Sequence, residues 1–129
     1  MDVFLVGIMI NNVISAVILL VAVLHLYFLY LEMFAWTKPL GLKTFRNDAE
    51  FAKRSAVLAA NQGLYNGFLA AGLIWSVFAN QSESLHLKFF FLGCVIIAGI
   101  YGGYTANKKI FFIQACPALV GLILLTIFA

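Results

Sequence analysis

The chain has 129 residues, 64% of them hydrophobic and only 10% charged, with a net charge of +3 and a mean hydropathy of +1.04. Water-soluble domains carry about 25% charged residues, so this composition excludes one and points to an all-α integral membrane protein. Four spans of ~20 residues with short connections account for the length, leaving no room for a separate soluble module: a single four-helix transmembrane domain, residues 1–129.

In chain order, the first apolar segment covers about residues 13–36. The start, MDVFLVGIM, carries Asp2 and no Lys or Arg, unlike the basic beginning of a cleavable signal peptide, so it is read as structure. The apolar stretch before Asn11 makes this segment longer than one crossing needs, which requires a tilt, a break near Asn11-Asn12, or a portion lying in the interface. The segment ends in HLYFLYLEMFAW, where His25 and Glu32, seven apart, share one helix face. An ionisable group within a span is costly and is by default a functional-site hypothesis. The bland alternative is that Glu32 snorkels to water against Lys38 or Arg54, and that His25 is a hydrogen-bonded packing residue.

After the connection TKPLGLKTFRNDAEFAKRS comes a second span, about 56–78. Gln62 and Asn66, four apart, share a face there, and Asn61 points elsewhere. A ladder of small residues, Ser55, Ala59, Gly63, Gly67 and Ala71, lets another helix approach closely. Gly99 and Gly103 repeat the pattern in the third span, about 87–104, which follows ANQSESLH. The ladder therefore predicts a tight contact between the second and third helices, or between subunits. Past TANKK, the fourth span, about 110–129, contains Gln114 and Cys116-Pro117. The proline frees the carbonyl of Ile113 and predicts a bend. Cys94 and Cys116 form no CxxC pair and fall at different depths, so neither a disulfide nor a metal site is expected.

Lys and Arg set orientation. Lys38, Lys43, Arg46, Lys53 and Arg54 lie in the first connection, Lys108 and Lys109 in the third, and Lys88 alone in the second. The first and third connections are thus expected in the cytoplasm and both termini outside. This asymmetry accounts for the basic character, and no nucleic-acid motif is present. Counting inward at 1.5 Å per residue places Glu32 about 6 Å inside Trp36, Asn61 and Gln62 roughly 10–12 Å inside Arg54, Tyr101 about 10 Å inside Lys108 and Gln114 about 7 Å inside Lys109, with His25 and Asn66 deeper at ~17 Å. A bundle interior receiving these groups would be a polar pocket open to the cytoplasm, although each amide by itself could equally be interhelical glue worth ~1 kcal/mol.

The runs NQGLYNGFLAAGL, LEMFAW before it and IYGGYTANKKIFFIQACPALVGL after it resemble a bacterial family of small integral membrane proteins known as domain of unknown function 1304. The resemblance covers about residues 25–125. It implies four spans in the bacterial cell membrane and brings no activity with it. The chain is also similar, more weakly, to the membrane-associated eicosanoid and glutathione metabolism family, in the charged FAKR at the second helix, the Asn-bearing turn after it, FLAAGL, and Lys108-Lys109. That likeness implies a four-helix homo-oligomer, a trimer, and lipophilic substrates. Glutathione would be its cofactor, with Arg54 and Asn61 as counterparts of the glutathione-reading residues; the acidic member of that set has no match in the second helix.

Three functions are compatible with these residues. In the first, an amphipathic or lipid-like molecule binds in the pocket, with Glu32 as charge partner or acid/base, His25 as a second catalytic candidate, Gln62, Asn66 and Gln114 orienting a polar end beside Asn61 and Tyr101, and Arg54 meeting an anionic headgroup. In the second, Glu32 couples protons to export. In the third, the small-residue ladder makes the protein a membrane scaffold.

Overall fold

A computed structural model describes residues 2–129. They form five helices and no strand among the described residues: α1 Val3–Phe34, α2 Pro39–Phe45, α3 Ala49–Phe78, α4 Gln81–Thr105 and α5 Lys108–Phe128. The chain is all-α, as its composition predicts. Helices α1, α4 and α5 are long and apolar enough to cross a membrane. Helix α3 has the length, 30 residues, but Asn61, Gln62 and Asn66 and the charges of its first turns dilute its apolar character. At most 28% of each spanning window is buried. Large apolar side chains such as Leu58, Phe78 and Ile97 lie in the open, a surface suited to hydrocarbon rather than water.

Helix α1 runs without a break through Asn11-Asn12. Its 32 residues reach ~48 Å against ~30 Å of hydrocarbon, so tilt or protrusion takes up the excess.

The polar connections are more helical than expected, because caps are present to start helices there. Pro39 opens α2 at a position where its missing N–H is no loss, and Arg46 closes it in the left-handed region, φ 55°, its N–H donating to the Leu42 carbonyl. Asp48 Oδ1 accepts the Phe51 N–H at 2.8 Å, so α3 begins at Ala49 rather than near residue 56. Asn80 Oδ1 accepts the Glu83 N–H at 3.1 Å, and α4 begins at Gln81 rather than 87. Both are side-chain caps satisfying N–H groups that no helical carbonyl reaches. In α5 the expected disturbance by Pro117 takes the form of one wider turn just ahead of it. Phe111–Ala115 are π-helical, and the Cys116 N–H donates to the Phe111 carbonyl five residues back, a bulge that absorbs an irregular ladder without ending the helix.

The chain divides into two compact units, Val23–Ala70 and the remainder, up to Ala22 and from Ala71 on. In the first, the second half of α1 packs on α3 through the small-residue ladder. A Cβ on Gly63 would stand 2.7 Å from Met33 Cγ and 3.1 Å from Glu32 Cβ, and one on Gly67 2.7 Å from Leu29 Cδ1. The expected partner of this ladder, the third helix or another subunit, is therefore replaced by α1: the contact is made inside the chain. The Trp36 indole N–H donates to Ser55 Oγ at 3.0 Å, pinning the outer end of the same seam.

The other unit holds the hairpin of α4 and α5, where Gly99 meets Ala115 and Gly103 meets Phe111, each leaving 2.7 Å for a Cβ. Here too the glycines serve a neighbour within the chain. The last turns of α3 run along the start of α4: Ser84 Oγ donates to the Ser76 carbonyl at 2.6 Å, and Gly72 faces the Phe91 ring. Ile14, Ile18, Leu73, Leu92, Val95, Ala118 and Leu125 fill its interior. Cys94 and Cys116 are both free thiols.

Candidate functional site

Glu32 is half-buried on the face of α1 that meets Gly63. With no Cβ on Gly63 the two backbones come close, and the carboxylate turns inward along α3, where Asn66 Nδ2 donates to Glu32 Oε2 at 3.2 Å. Asn66 is buried. Depth counting places these two residues in different layers, Glu32 near the interface and Asn66 near the midplane; the bond joins them. The count starts α3 at the last charge, and the helix begins earlier, at Ala49, so distances from Arg54 do not measure depth. In the orientation seen the carboxylate reaches toward Asn66 rather than toward Lys38 or Arg54.

A carboxylate presents about four lone-pair positions. Oε1 of Glu32 has no hydrogen-bond partner among the described residues, and neither has the Asn66 side-chain oxygen. The pair thus offers two acceptor oxygens to a further donor, in surroundings where hydrogen bonds are not diluted by bulk water.

The other predicted residues have different surroundings. His25 is wholly buried, its ring edge-to-face with Phe28 at 5.4 Å and 73°, two turns along α1 from Glu32. Arg54 is exposed and paired with Glu50 at 3.5 Å, an i,i+4 surface pair of small energetic value. Asn61 is exposed and donates back to the Val57 carbonyl at 2.8 Å, as its off-face position predicts. Gln62 is also exposed. Tyr101 and Gln114 belong to the other unit, Tyr101 exposed and Gln114 half-buried in the π turn. Within this set a side-chain hydrogen bond joins Glu32 to Asn66.

Two hollows are prominent, and none of the predicted residues lines either. One, of about 250 Å³, sits beside the π turn against Tyr104, Lys108 and Phe111. The other, of about 570 Å³, contains a residue that reading by connections misses, Lys88. Its charge counts with the second connection and its position falls at the very start of the expected third span, yet it stands two turns inside α4 and is buried. The signal available in the sequence is the capping pattern Asn80-x-x-Glu83, which starts the helix early enough to place Lys88 within it.

Two comparisons with known proteins give matches. Residues 19–126 match the family described as Protein of unknown function (DUF1304). An Uncharacterized protein YpaA from Lactococcus lactis subsp. lactis (strain IL1403) is 37% identical over 107 residues, covering 81% of this chain and 89% of that protein. No solved structure matches at a significant level.

Proposed function

The chain belongs to the family of unknown function DUF1304, and from that premise, which carries no activity, we propose that it is a multi-pass protein of the cell membrane. Four helices cross, both termini lie outside, and an intramembrane polar site near the cytoplasmic face binds the head group of an amphipathic or lipid-like molecule. Support for the fourth crossing comes from packing. Helix α4 is apolar enough to span, and the end of α3 runs antiparallel beside it, joined by the Ser84–Ser76 bond. A helix held along a spanning neighbour shares its layer, and its exposed Val57, Leu58, Phe68 and Trp75 then face lipid.

The observation that carries the binding reading is the Asn66–Glu32 hydrogen bond between two helices. It fixes a carboxylate with a spare oxygen at a helix seam, which suits an amine, amide or hydroxyl donor. Arg54, Asn61 and Gln62 lie on the exposed side of α3. The scaffold alternative loses its main support, because the glycine ladder is used on α1 within the chain.

The test is thermal melting of purified protein in neutral detergent with dodecylamine, monolauroylglycerol, reduced glutathione or sodium laurate. Donor-bearing amphiphiles are expected to raise the melting temperature of the wild type and to have no effect on Glu32→Gln. A rise with glutathione alone would favour the thiol-cofactor reading instead. If no donor amphiphile shifts melting, or if Glu32→Gln responds as the wild type does, the site assignment is wrong.

A further inference from the structure

The first turns of α1, the last of α3 and α5 and the beginning of α4 enclose the cleft of about 570 Å³, a size within the roughly 300–1,000 Å³ of small-molecule sites. Its walls are of two kinds. Ile10, Ile14, Leu85 and Leu125 are apolar; Asn11, Ser15, Gln81, Ser84 and Lys88 are polar.

Lys88 is 7% exposed and forms no ion pair among the described residues; its ammonium is not among the fully buried atoms that lack a partner, so the stem is covered while Nζ keeps open space beside it. A charge taken out of water without a counter-charge is costly; inside a span it is a functional-site hypothesis by default. The cleft supplies no counter-charge from its side chains: Glu83 and His86, on the same turns of α4, do not line it, and neither does Asp2 on α1. Hydrogen-bonding capacity is present instead. Asn11 and Ser15, four apart on α1, project along one face, and neither side chain has a hydrogen-bond partner among the described residues. Ser84 already donates to the Ser76 carbonyl, which fixes its oxygen at the cleft wall one turn before Lys88.

We propose that this cleft binds the anionic head group of a single-chain amphiphile, a carboxylate or phosphate, with the Lys88 ammonium as its charge partner, Asn11 and Ser15 as hydrogen-bond donors, and the apolar wall of Ile10, Ile14, Leu85 and Leu125 receiving the chain. This site is separate in residues and opposite in charge from the Glu32–Asn66 pair. An ion alone would use the polar wall and leave the apolar one idle, which is why the amphiphile is the better match.

The experiment measures binding to the full chain in dodecyl maltoside by calorimetry, with dodecyl phosphate, sodium laurate, inorganic phosphate and dodecylamine as probes. Dodecyl phosphate and laurate are expected to bind, and inorganic phosphate and dodecylamine to bind at least tenfold more weakly. Lys88→Met should lower dodecyl phosphate affinity tenfold or more and leave the melting temperature of the unliganded protein unchanged or higher, since it removes a charge without a counter-charge at nearly constant shape. Ser15→Leu, which fills the cleft and leaves Lys88 intact, should also abolish binding, and serves should the first variant fail to fold. Equal affinity for inorganic and dodecyl phosphate would overturn the amphiphile. Unchanged affinity in Lys88→Met, or preference for dodecylamine, would overturn the site.

Discussion

The carboxylate of Glu32 and the amide of Asn66 show how little of a residue's role is carried by its own position in the chain. Glu32 is visible in the sequence as a charge in an apolar run, and Asn66 as one of three amides on the second span. Nothing along the chain selects Asn66 over Asn61 or Gln62, which are equally polar and, by residue counting, closer in depth. The selection comes from the inward turn of the carboxylate across Gly63. In Asn66→Leu the carboxylate keeps its burial and loses its donor, and a loss of about 1–2 kcal/mol of stability is expected. Glu32→Leu combined with Asn66→Leu should recover most of it, since replacing both partners by apolar groups leaves nothing unsatisfied. Melting of the four proteins of this double-mutant cycle in one detergent measures the coupling. A fully additive pair would show that the bond contributes nothing. Trp36 and Ser55 form a comparable pair, and Ser55 donates its own O–H to the Phe51 carbonyl at 2.8 Å, so its oxygen is held in place to accept from the indole.

At the level of elements, caps and glycines decide more than hydropathy does. Asp48 and Asn80 start α3 and α4 inside segments whose polarity reads as loop, which sets Lys88 two turns inside α4 rather than at its first residues. The glycine seams carry a sharp contrast. A side chain at Gly63 meets Met33, Glu32 and the Leu29 carbonyl, whereas one at Gly93 meets nothing within 4 Å. Gly63→Leu should therefore push α1 from α3 and destabilise by about 1–3 kcal/mol or more through overpacking, with loss of the Glu32–Asn66 bond. Gly93→Ala should be neutral or stabilising by about 0.5–1 kcal/mol, because only the helical cost of glycine is removed. Melting temperatures that fall equally in both variants would show that the seam is not tightly packed. The π turn at Phe111–Ala115 belongs to this scale as well: Pro117 announces an irregularity, and the ladder answers with a widened turn rather than an ended helix.

For the molecule as a whole, the arrangement of cations predicts sidedness. In a background with Cys94→Ser and Cys116→Ser, a membrane-impermeant maleimide applied to intact cells should label Ser82→Cys and spare Lys43→Cys and Lys109→Cys, with the latter two reacting once the membrane is opened. Labelling of Lys43→Cys and Ser82→Cys from the same side would mean that α3 does not cross. The helical content and the presence of helices long and apolar enough to cross a membrane were legible in the amino-acid order, because hydropathy is a sum over neighbouring residues and needs no knowledge of distant ones. Which polar groups meet was not legible. That Glu32 pairs with Asn66, that the glycine ladder faces α1, and that Lys88 is enclosed with Asn11 and Ser15 all depend on the register and rotation of helices far apart in the chain. Register is fixed by side-chain packing across the seams at Gly63, Gly67, Gly99 and Gly103, and packing of that kind exists only once the helices are side by side.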